Sequence, residues 1–432
     1  MSAEVSSRYR PGRLLNEGKT KQIHEVEGDV SRVILVSKDD ITAGDGAKHD
    51  VMAGKAAFAN QTACNNFRLL KAAGIPVAFD EQSGPTSFVS PKCSMLPYEV
   101  VARREAHGSY LKRSPHLSKG QLFSKLLVEF FLKTKDRRWK EHSLIADDPL
   151  MIYDGEKIDL FDPAKPIYTQ TPFLTLRPDE VFEHQGEQDL FPDMAKMASR
   201  IFLTLEKAWQ LEGGRLVDFK VEFGLTPDGK LLLADVVDND SWRVIRDGGY
   251  IDKQVYREGG ALDEVTENYR RVADITGGFR LPEQQIIIWT GSTTDDTSPI
   301  EKAIAAISPV KVTKIVCSAH KEPVKAVGLL QKAVQETPDA VVIALIGRSN
   351  GAGPVLSANT HVPVITIPAN AKEFPEDVWS SLRMPRNVPV LVALEPANAA
   401  QAALQMLAGR NPKVYADVKT DLESRAFNVM EL

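Results

Sequence analysis

Cysteine is scarce in this 432-residue chain: Cys64, Cys93 and Cys317 are odd in number and lack metal-ligand spacing. That argues against a disulfide framework and against a cysteine-bound metal, and it fits a reducing compartment. Long hydrophobic runs are missing too. The longest strongly apolar one, Ala340 to Ile346, is far too short to span a bilayer, and the opening MSAEVSSRYR has no apolar leader segment. The expectation is a soluble, cytosolic protein with no membrane partner. Nor is there an excess of positive charge. With 53 Lys and Arg against 58 Asp and Glu, the net charge of -5 leaves no electrostatic footprint for nucleic acid. The one basic cluster, Lys133 to Lys140, reads as a solvated loop or helix face. At this length two domains, in two or three lobes, are expected.

What is present centres on a hairpin. Leu216 to Phe223 and Leu231 to Arg243 (LLLADVVDNDSWR) flank Thr226-Pro227-Asp228-Gly229, where Pro presets the φ of a type I turn and Gly closes it. Pairing 226 with 229 sets Glu222 opposite Leu233 and Lys220 opposite Asp235, with Asp235 diagonal to Glu222 on one polar face. Val217, Phe219, Val221 and Phe223 take the other face, into a core. Two carboxylates and a lysine on one face suit Mg²⁺ with room for phosphate oxygens. Alternation alone favours a solvated sheet face, but Asp235, Asp238, Asn239 and Asp240 crowd one strand end, where like charges repel unless a cation or ligand answers them.

Upstream, LLNEGKTKQIHEV reads as a strand interrupted by Gly18, with a second strand at Arg32 to Ser37. Lys19 and Lys21, two apart, would share a strand face and reach a phosphate chain over the glycine. A glycine-rich loop, ITAGDGAKHD, precedes a helix expected from Val51 to Ala73, capped by Gly74 with Pro76 beyond. The stretch MLPYEVVARREAHGSYLKR begins as a strand, Tyr98 to Ala102, and crowds Arg103, Ser109, Lys112 and Arg113 into a loop suited to an anion. Arg103 and Arg104 pairing with Glu99 or Glu105 is the bland alternative. Asp193 to Gln210 reads as a core-packing helix, and Lys253 and Arg257 are candidate anion contacts or helix-surface charges.

After Asn268 the texture changes. Residues 273–283 (ADITGGFRLPE) read as a linker between domains at 1–272 and 284–432. From Gln284, apolar strands alternate with polar loops and helices: QQIIIWT then GSTTDDTSPIEK, KVTKIVC then SAHKEPVK, DAVVIALI then GRSNGAGP. Continuous apolar strands mean a parallel sheet covered on both faces, with ligands beyond the carboxyl ends of its strands. Ser292, Thr293 and Thr294 there could bind a phosphate or merely cap the helix opening near Pro299.

Through EGKTK, TAGDGAKHD, EVVARREAHGS, VDFKVEFG and LADVVDNDSWR, in that order, the first 270 or so residues resemble phosphoribosylaminoimidazole-succinocarboxamide (SAICAR) synthase. The resemblance implies an α+β, two-lobed, ATP-grasp-related fold with ATP in the cleft and Leu96 to Val101, including Glu99, as a hinge against adenine. It implies that Gly18, Lys19 and Lys21 meet ATP phosphates, that Glu222 and Asp235 hold Mg²⁺, and that Lys220 is catalytic. Arg103, Ser109 and Arg243 would grip the substrate's ribose phosphate, with Asp45, Asp240 and Arg257 lining the rest. Chemically, a carboxylate is a poor acyl donor, so ATP phosphorylates it before the amine of L-aspartate attacks.

Nearly all of Gln284 to Glu395 resembles phosphoribosylaminoimidazole (AIR) carboxylase, an α/β, three-layer, flavodoxin-like domain. His320-Lys321 with GRSNG is similar to the animal-type enzyme that uses CO₂ directly, without biotin or ATP. That resemblance implies that Ser292, Asp295 and Ser318 contact aminoimidazole ribonucleotide, with His320 and Lys321 at the reacting centre. Gly347, Arg348 and Ser349 would form the CO₂ pocket. The domain order is that of the bifunctional enzymes of animal purine synthesis, which implies a homo-octamer. The apolar helix Ala399 to Leu407 and the tail after Gly409 offer surface for it. Three positions depart from the pattern: Trp289, Val362, and Glu322, which brings a negative charge beside SAHK. Glu322 sustains a second reading, synthase activity alone with the C-terminal half as a binding or assembly module. Ile145 to Glu187 matches the synthase pattern weakly and receives no site residues.

Overall fold

The computed structural model describes residues 8–43 and 48–425. The chain divides into two compact units, one ending at Arg280 and the other beginning at Leu281. The helix Leu262–Thr276 runs into the stretch read as a linker, and Phe279 packs edge-on against Trp209 at 5.3 Å, so those residues are held by the first unit.

The first unit is antiparallel. One sheet has the order β1 (Pro11–Glu17), β2 (Lys21–Val26), β3 (Asp29–Ser37), β7 (Ser87–Pro91), β6 (Glu81–Gly84). Two small pairs stand apart, β4 (Asp40–Ala43) with β5 (Lys48–Val51) and β10 (Arg138–Trp139) with β11 (His142–Ser143). The large sheet begins with β14 (Leu174–Leu176), β13 (Ile158–Phe161), β12 (Leu150–Tyr153) and β9 (Leu122–Leu132). It continues through β8 (Ser94–Glu105), β15 (Arg215–Leu225), β17 (Trp242–Arg246) and β18 (Gly249–Tyr250), with β16 (Leu231–Ala234) also on β15.

Gly18 does more than interrupt a strand. The chain reverses there, the Gly18 N–H donating to the Lys21 carbonyl at 2.9 Å, and β1 and β2 form a hairpin. Lys19 lies exposed in the turn, so it shares no strand face with Lys21. The helix expected from Val51 begins at Lys55 instead, because Lys48–Val51 is committed to β5. The helix Leu190–Leu211 buries Ile201, Leu205 and Ala208, as its apolar spacing requires.

The second unit is a parallel sheet in the order β20 (Lys311–Val316), β19 (Gln284–Thr290), β21 (Asp339–Ile346), β22 (Val364–Pro368), β23 (Leu391–Val392). Counted from its first strand this is 2-1-3-4-5, the flavodoxin-like order. Successive residues face opposite layers: Ile286, Ile288 and Ile343 pack under the helices Ser298–Ile307 and Pro396–Ala408, while Ile287, Trp289 and Val342 pack under Pro323–Glu336. Each such side chain stabilises the fold by about 1.5–3 kcal/mol relative to exposure. The helix read as offering subunit contacts spends its apolar face here instead: Ala399, Ala403, Leu404 and Leu407 are buried against the sheet. No helix among the described residues is long and apolar enough to cross a membrane.

Candidate active sites

The turn at 226–229 forms, with the Gly229 N–H donating to the Thr226 carbonyl at 2.8 Å. Gly229 takes φ +80°, and Lys230 closes the hairpin, its carbonyl accepting the Thr226 N–H at 3.0 Å. A type I turn followed by a left-handed residue adds one position, so Glu222 lies opposite Ala234 instead of Leu233. Strict alternation would then send Asp235 to the far face. It returns because β16 ends at Ala234 and Asp235 itself adopts φ +61°, a conformation aspartate tolerates better than most residues.

Around this pair the strands assemble three acids and three lysines. Glu99 of β8 lies directly opposite Glu222. Lys220 donates to Glu99, Lys21 donates to Asp235, and Lys133 Nζ donates to Glu222 Oε2 at 2.6 Å. Burial and the neighbouring Asp235 push the Glu222 carboxyl above its ordinary value. Burial acts the same way on Asp235, but Lys21 outweighs it and holds Asp235 below the usual range. Lys133, read as part of a solvated loop, is drawn into the site; its signal is that it directly follows β9, the neighbour of β8. Among the described residues no group of three or more His, Cys, Asp or Glu could hold a metal alone. Glu222 and Asp235 are a two-carboxylate set, which fits Mg²⁺ completed by phosphate oxygens.

A second nest lies farther along β8 and β15. Arg103 sits opposite Asp218, and its Nη1 donates to Asp218 Oδ2 at 3.2 Å while its Nε donates to Glu129 at 2.8 Å. Arg243 Nη1 donates to the same Asp218 oxygen at 2.6 Å. Neither expected partner, Glu99 nor Glu105, takes Arg103, and Arg104 pairs with Glu206 at 2.7 Å. Asp218 and Glu129, both buried, were not singled out from sequence; alternation places Asp218 on the face of Lys220 and Glu222, which is the usable signal. Ser109 is exposed beside Gly108, whose φ is +56° and where an added Cβ would lie 2.3 Å from the Arg243 guanidinium.

The acidic strand end is answered by protein cations. Lys55 and Lys253 each approach Asp240 Oδ2 at 3.5 Å, and the Tyr269 hydroxyl donates to Oδ1. Burial favours the neutral acid at Asp240, yet these groups prevail and hold it below the carboxylate range. Asp238 moves the other way, pushed up to about 6 by burial and by Asp240. Arg257 is exposed and donates to Gln254 at 3.4 Å. Asp45 lies outside the described residues.

In the second unit the loops after β19, β20 and β21 converge at the carboxyl end of the sheet. The Asp295 carboxylate accepts the Ser292 N–H at 3.0 Å and lies 4.0 Å from where a Gly347 Cβ would be. The His320 ring rests on Gly351, where an added Cβ would fall 2.3 Å from Nε2. Ser318 anchors the turn that carries His320 and Lys321, its carbonyl accepting the Lys321 N–H at 3.2 Å. Arg348 stacks 4.0 Å from the Phe374 centroid. The Ser349 N–H is spent on Asp377, at 2.9 Å from both carboxylate oxygens, so it is not open to a ligand. Trp289 is a packing residue whose indole donates to the Cys317 carbonyl at 2.9 Å, and Val362 packs in the same layer. Glu322 sits at the start of the helix Pro323–Glu336 with its charge answered by Lys325 Nζ at 2.9 Å.

Comparison with known proteins agrees with this division. The SAICAR synthetase family model matches residues 14–153 and 175–275, and the AIR carboxylase family model matches residues 285–426. The chain is 36% identical over 444 residues to the "Probable multifunctional protein ADE2" of Caenorhabditis elegans, covering 99% of this chain and 97% of that one. It is 35% identical over 431 residues to the Homo sapiens "Bifunctional phosphoribosylaminoimidazole carboxylase/phosphoribosylaminoimidazole succinocarboxamide synthetase", covering 95% and 93%. Among solved structures, a "SAICAR synthetase (Type-2) in complex with ADP" is 27% identical with a TM-score of 0.47, over 61% of this chain and 98% of that one. With both family models in order on one chain and relatives aligned over nearly its whole length, this protein belongs to the bifunctional AIR carboxylase/SAICAR synthetase family.

Proposed function

We propose that this protein carries out two consecutive steps of purine synthesis, AIR carboxylation in the unit that begins at Leu281 and ATP-driven amide formation with L-aspartate in the unit that ends at Arg280. The observation that carries the synthase assignment is the acid pair Glu222 and Asp235 set among Lys21, Lys133 and Lys220, beside the Arg103–Asp218–Arg243 nest.

In the second domain, C4 of the aminoimidazole attacks the carbon of CO₂, and the C4 proton then leaves to a base. His320 and Lys321 hold the incipient carboxylate and move that proton, and Ser292, Asp295, Ser318, Gly347 and Arg348 bind and orient the nucleotide and CO₂. Neither ATP nor biotin takes part in this step. In the first domain, a carboxylate oxygen of the product takes the γ-phosphoryl group of ATP, releasing ADP. The amine of L-aspartate attacks the acyl carbon, phosphate departs and the amide forms. Gly18, Lys19 and Lys21 hold the ATP phosphates, with Glu99 in the hinge, and Lys220 and Lys133 offset charge on the moving phosphoryl. Glu222 and Asp235 would hold Mg²⁺, which supplies charge neutralisation at the phosphates. Arg103, Ser109 and Arg243 grip the ribose phosphate; Asp45, Asp240 and Arg257 complete the substrate site.

Mass spectrometry of products tests the reading: purified protein receives aminoimidazole ribonucleotide and bicarbonate, first alone and then with ATP, Mg²⁺ and aspartate. Carboxylated nucleotide in the first stage and succinocarboxamide only in the second is the expected result. Amide formed from supplied carboxylate, without any carboxylation, would sink the carboxylase half. The assembly proposed is a cytosolic homo-octamer, read out by sedimentation.

A further inference from the structure

His107 belongs to none of the roles above, yet it is among the most enclosed polar side chains of the first unit, 2% exposed. Its ring spans two partners: Nε2 lies 3.1 Å from Glu105 Oε2 and Nδ1 lies 2.7 Å from the Tyr250 hydroxyl. A carboxylate only accepts, so Nε2–H donates to Glu105, while Nδ1 pairs with the Tyr250 hydroxyl. The surrounding charges are Arg215, 3.2 Å from Glu105 Oε1, and Lys119, 5.0 Å from the Tyr250 centroid and 3.9 Å from Glu258. Glu105 is fully buried, so this row from β15 through β8 to β18 ties down a carboxylate that cannot reach water.

What the row holds in place is the next residue. Gly108 turns left-handed at φ +56° directly after His107, and the Arg243 guanidinium lies against it so closely that no Cβ fits. The backbone on either side is clamped, with the Ala106 N–H donating to Gln121 at 2.9 Å, the Gly120 N–H to Ala106 at 3.0 Å, and the Tyr110 N–H to His107 at 3.2 Å. Arg243 is thus held by Asp218 and by Gln254, whose side-chain oxygen accepts its Nε–H at 3.2 Å, and its guanidinium lies against Gly108.

We infer that His107 is a positioning residue for the synthase reaction: pinned between Glu105 and Tyr250, it sets the Gly108–Ser109 backbone against Arg243, so that Ser109 and Arg243 together present a preformed cradle to a phosphate monoester. This rests on the reading of Arg243 and Ser109 as the grip on the nucleotide's ribose phosphate. Its effect belongs to nucleotide binding and leaves the ATP subsite untouched, because Lys21, Glu222 and Asp235 stand on other partners.

The test uses the full-length chain, with amide formation followed at varied carboxylated nucleotide and saturating ATP and aspartate. His107→Ala should raise the nucleotide KM about tenfold or more with kcat little changed, as for loss of buried hydrogen bonds that support binding. The KM for ATP should stay at the parent value. His107→Asn, which can replace Nδ1 towards Tyr250, and His107→Gln, which can replace Nε2 towards Glu105, should each recover part of the loss, and Tyr250→Phe should show a smaller rise in the same constant. Arg243→Ala is measured alongside. If Arg243→Ala raises the nucleotide KM and the His107 and Tyr250 variants do not, the positioning role is overturned alone. If Arg243→Ala also leaves it unchanged, the phosphate-grip reading has failed. A fall in kcat with parallel rises in both KM values, unrecovered by Asn or Gln, would show a merely structural histidine and overturn the inference.

Discussion

Asp235→Asn separates the charge of one carboxylate from the shape around it. Asparagine shares with aspartate an unusual tolerance of the left-handed region, so the backbone at φ +61° stays where it is. Alanine there would add about 1–2 kcal/mol of strain and blur the outcome. Two consequences for stability oppose each other: Lys21 loses its counter-charge, while Glu222 loses the like charge that, after burial, most raises its pKa. The net change should be within about 1–2 kcal/mol, a shift of a few degrees in melting temperature. Catalysis has no such compensation, because Glu222 would be the only carboxylate left of the proposed pair. Losing one carboxylate of the proposed Mg²⁺ pair weakens the cation that would stabilise the transferring phosphoryl group, an electrostatic loss of about 10²–10³ in kcat, so amide formation should fall by that factor. Carboxylation, assayed on the same preparation, should be unchanged. An amide rate within about tenfold of the parent, or a parallel loss of both activities, refutes the reasoning.

Gly351→Ala should disable carboxylation while sparing amide formation, since its methyl group would fall 2.3 Å from His320 Nε2 and displace the ring; His320→Asn should do the same, and a parental carboxylation rate in either variant counts against the placement of that ring. Asp218→Ala leaves the buried Arg103 beside Arg243 without the carboxylate between them, at a cost of about 3–5 kcal/mol. Calorimetry should then show the first unit's transition lowered by roughly 10 °C with the second unmoved, and an unaltered transition would remove Asp218 from its bridging role. Asp252 is held up at about 7 by burial, against two backbone N–H donors, from an ordinary aspartate value of 3.8. A carboxyl raised in the fold stabilises it most below its unfolded value and loses that contribution as pH rises through about 7. Asp252→Asn should therefore flatten the melting temperature between pH 4 and 7, values set by those two pKa figures; an unchanged slope in circular-dichroism melts contradicts the assignment.

Local pattern was enough where the physics is local. Runs such as QQIIIWT and DAVVIALI are apolar at every position, so they require cover on both faces, and the structure buries β19 and β21 from both sides. The Pro-Asp-Gly turn likewise followed from its own φ requirements. Register did not, because the choice between closing at Gly229 and closing at Lys230 depends on which strand faces reach the core, and that is a property of the whole sheet. The apolar helix Pro396–Ala408 shows the same limit, since periodicity reports a face to be covered without saying whether the cover is a sheet or a second subunit.

The sequence by itself determined the two-domain order, the parallel sheet of the second half and the residue types that chemistry on phosphates and carboxylates needs. Only the tertiary structure decided which of those residues meet. Lys133 and Glu222 are 89 positions apart, Arg103 and Asp218 are 115 apart, and Lys21 and Asp235 are 214 apart. No helical or strand period links such positions; each pair is brought together by strand order, a one-residue bulge or a single left-handed aspartate. Charge pairing of this kind acts over a few ångströms of space and carries no signature along the chain, so Asp218, Glu129 and Lys133 became visible only once the sheet was assembled.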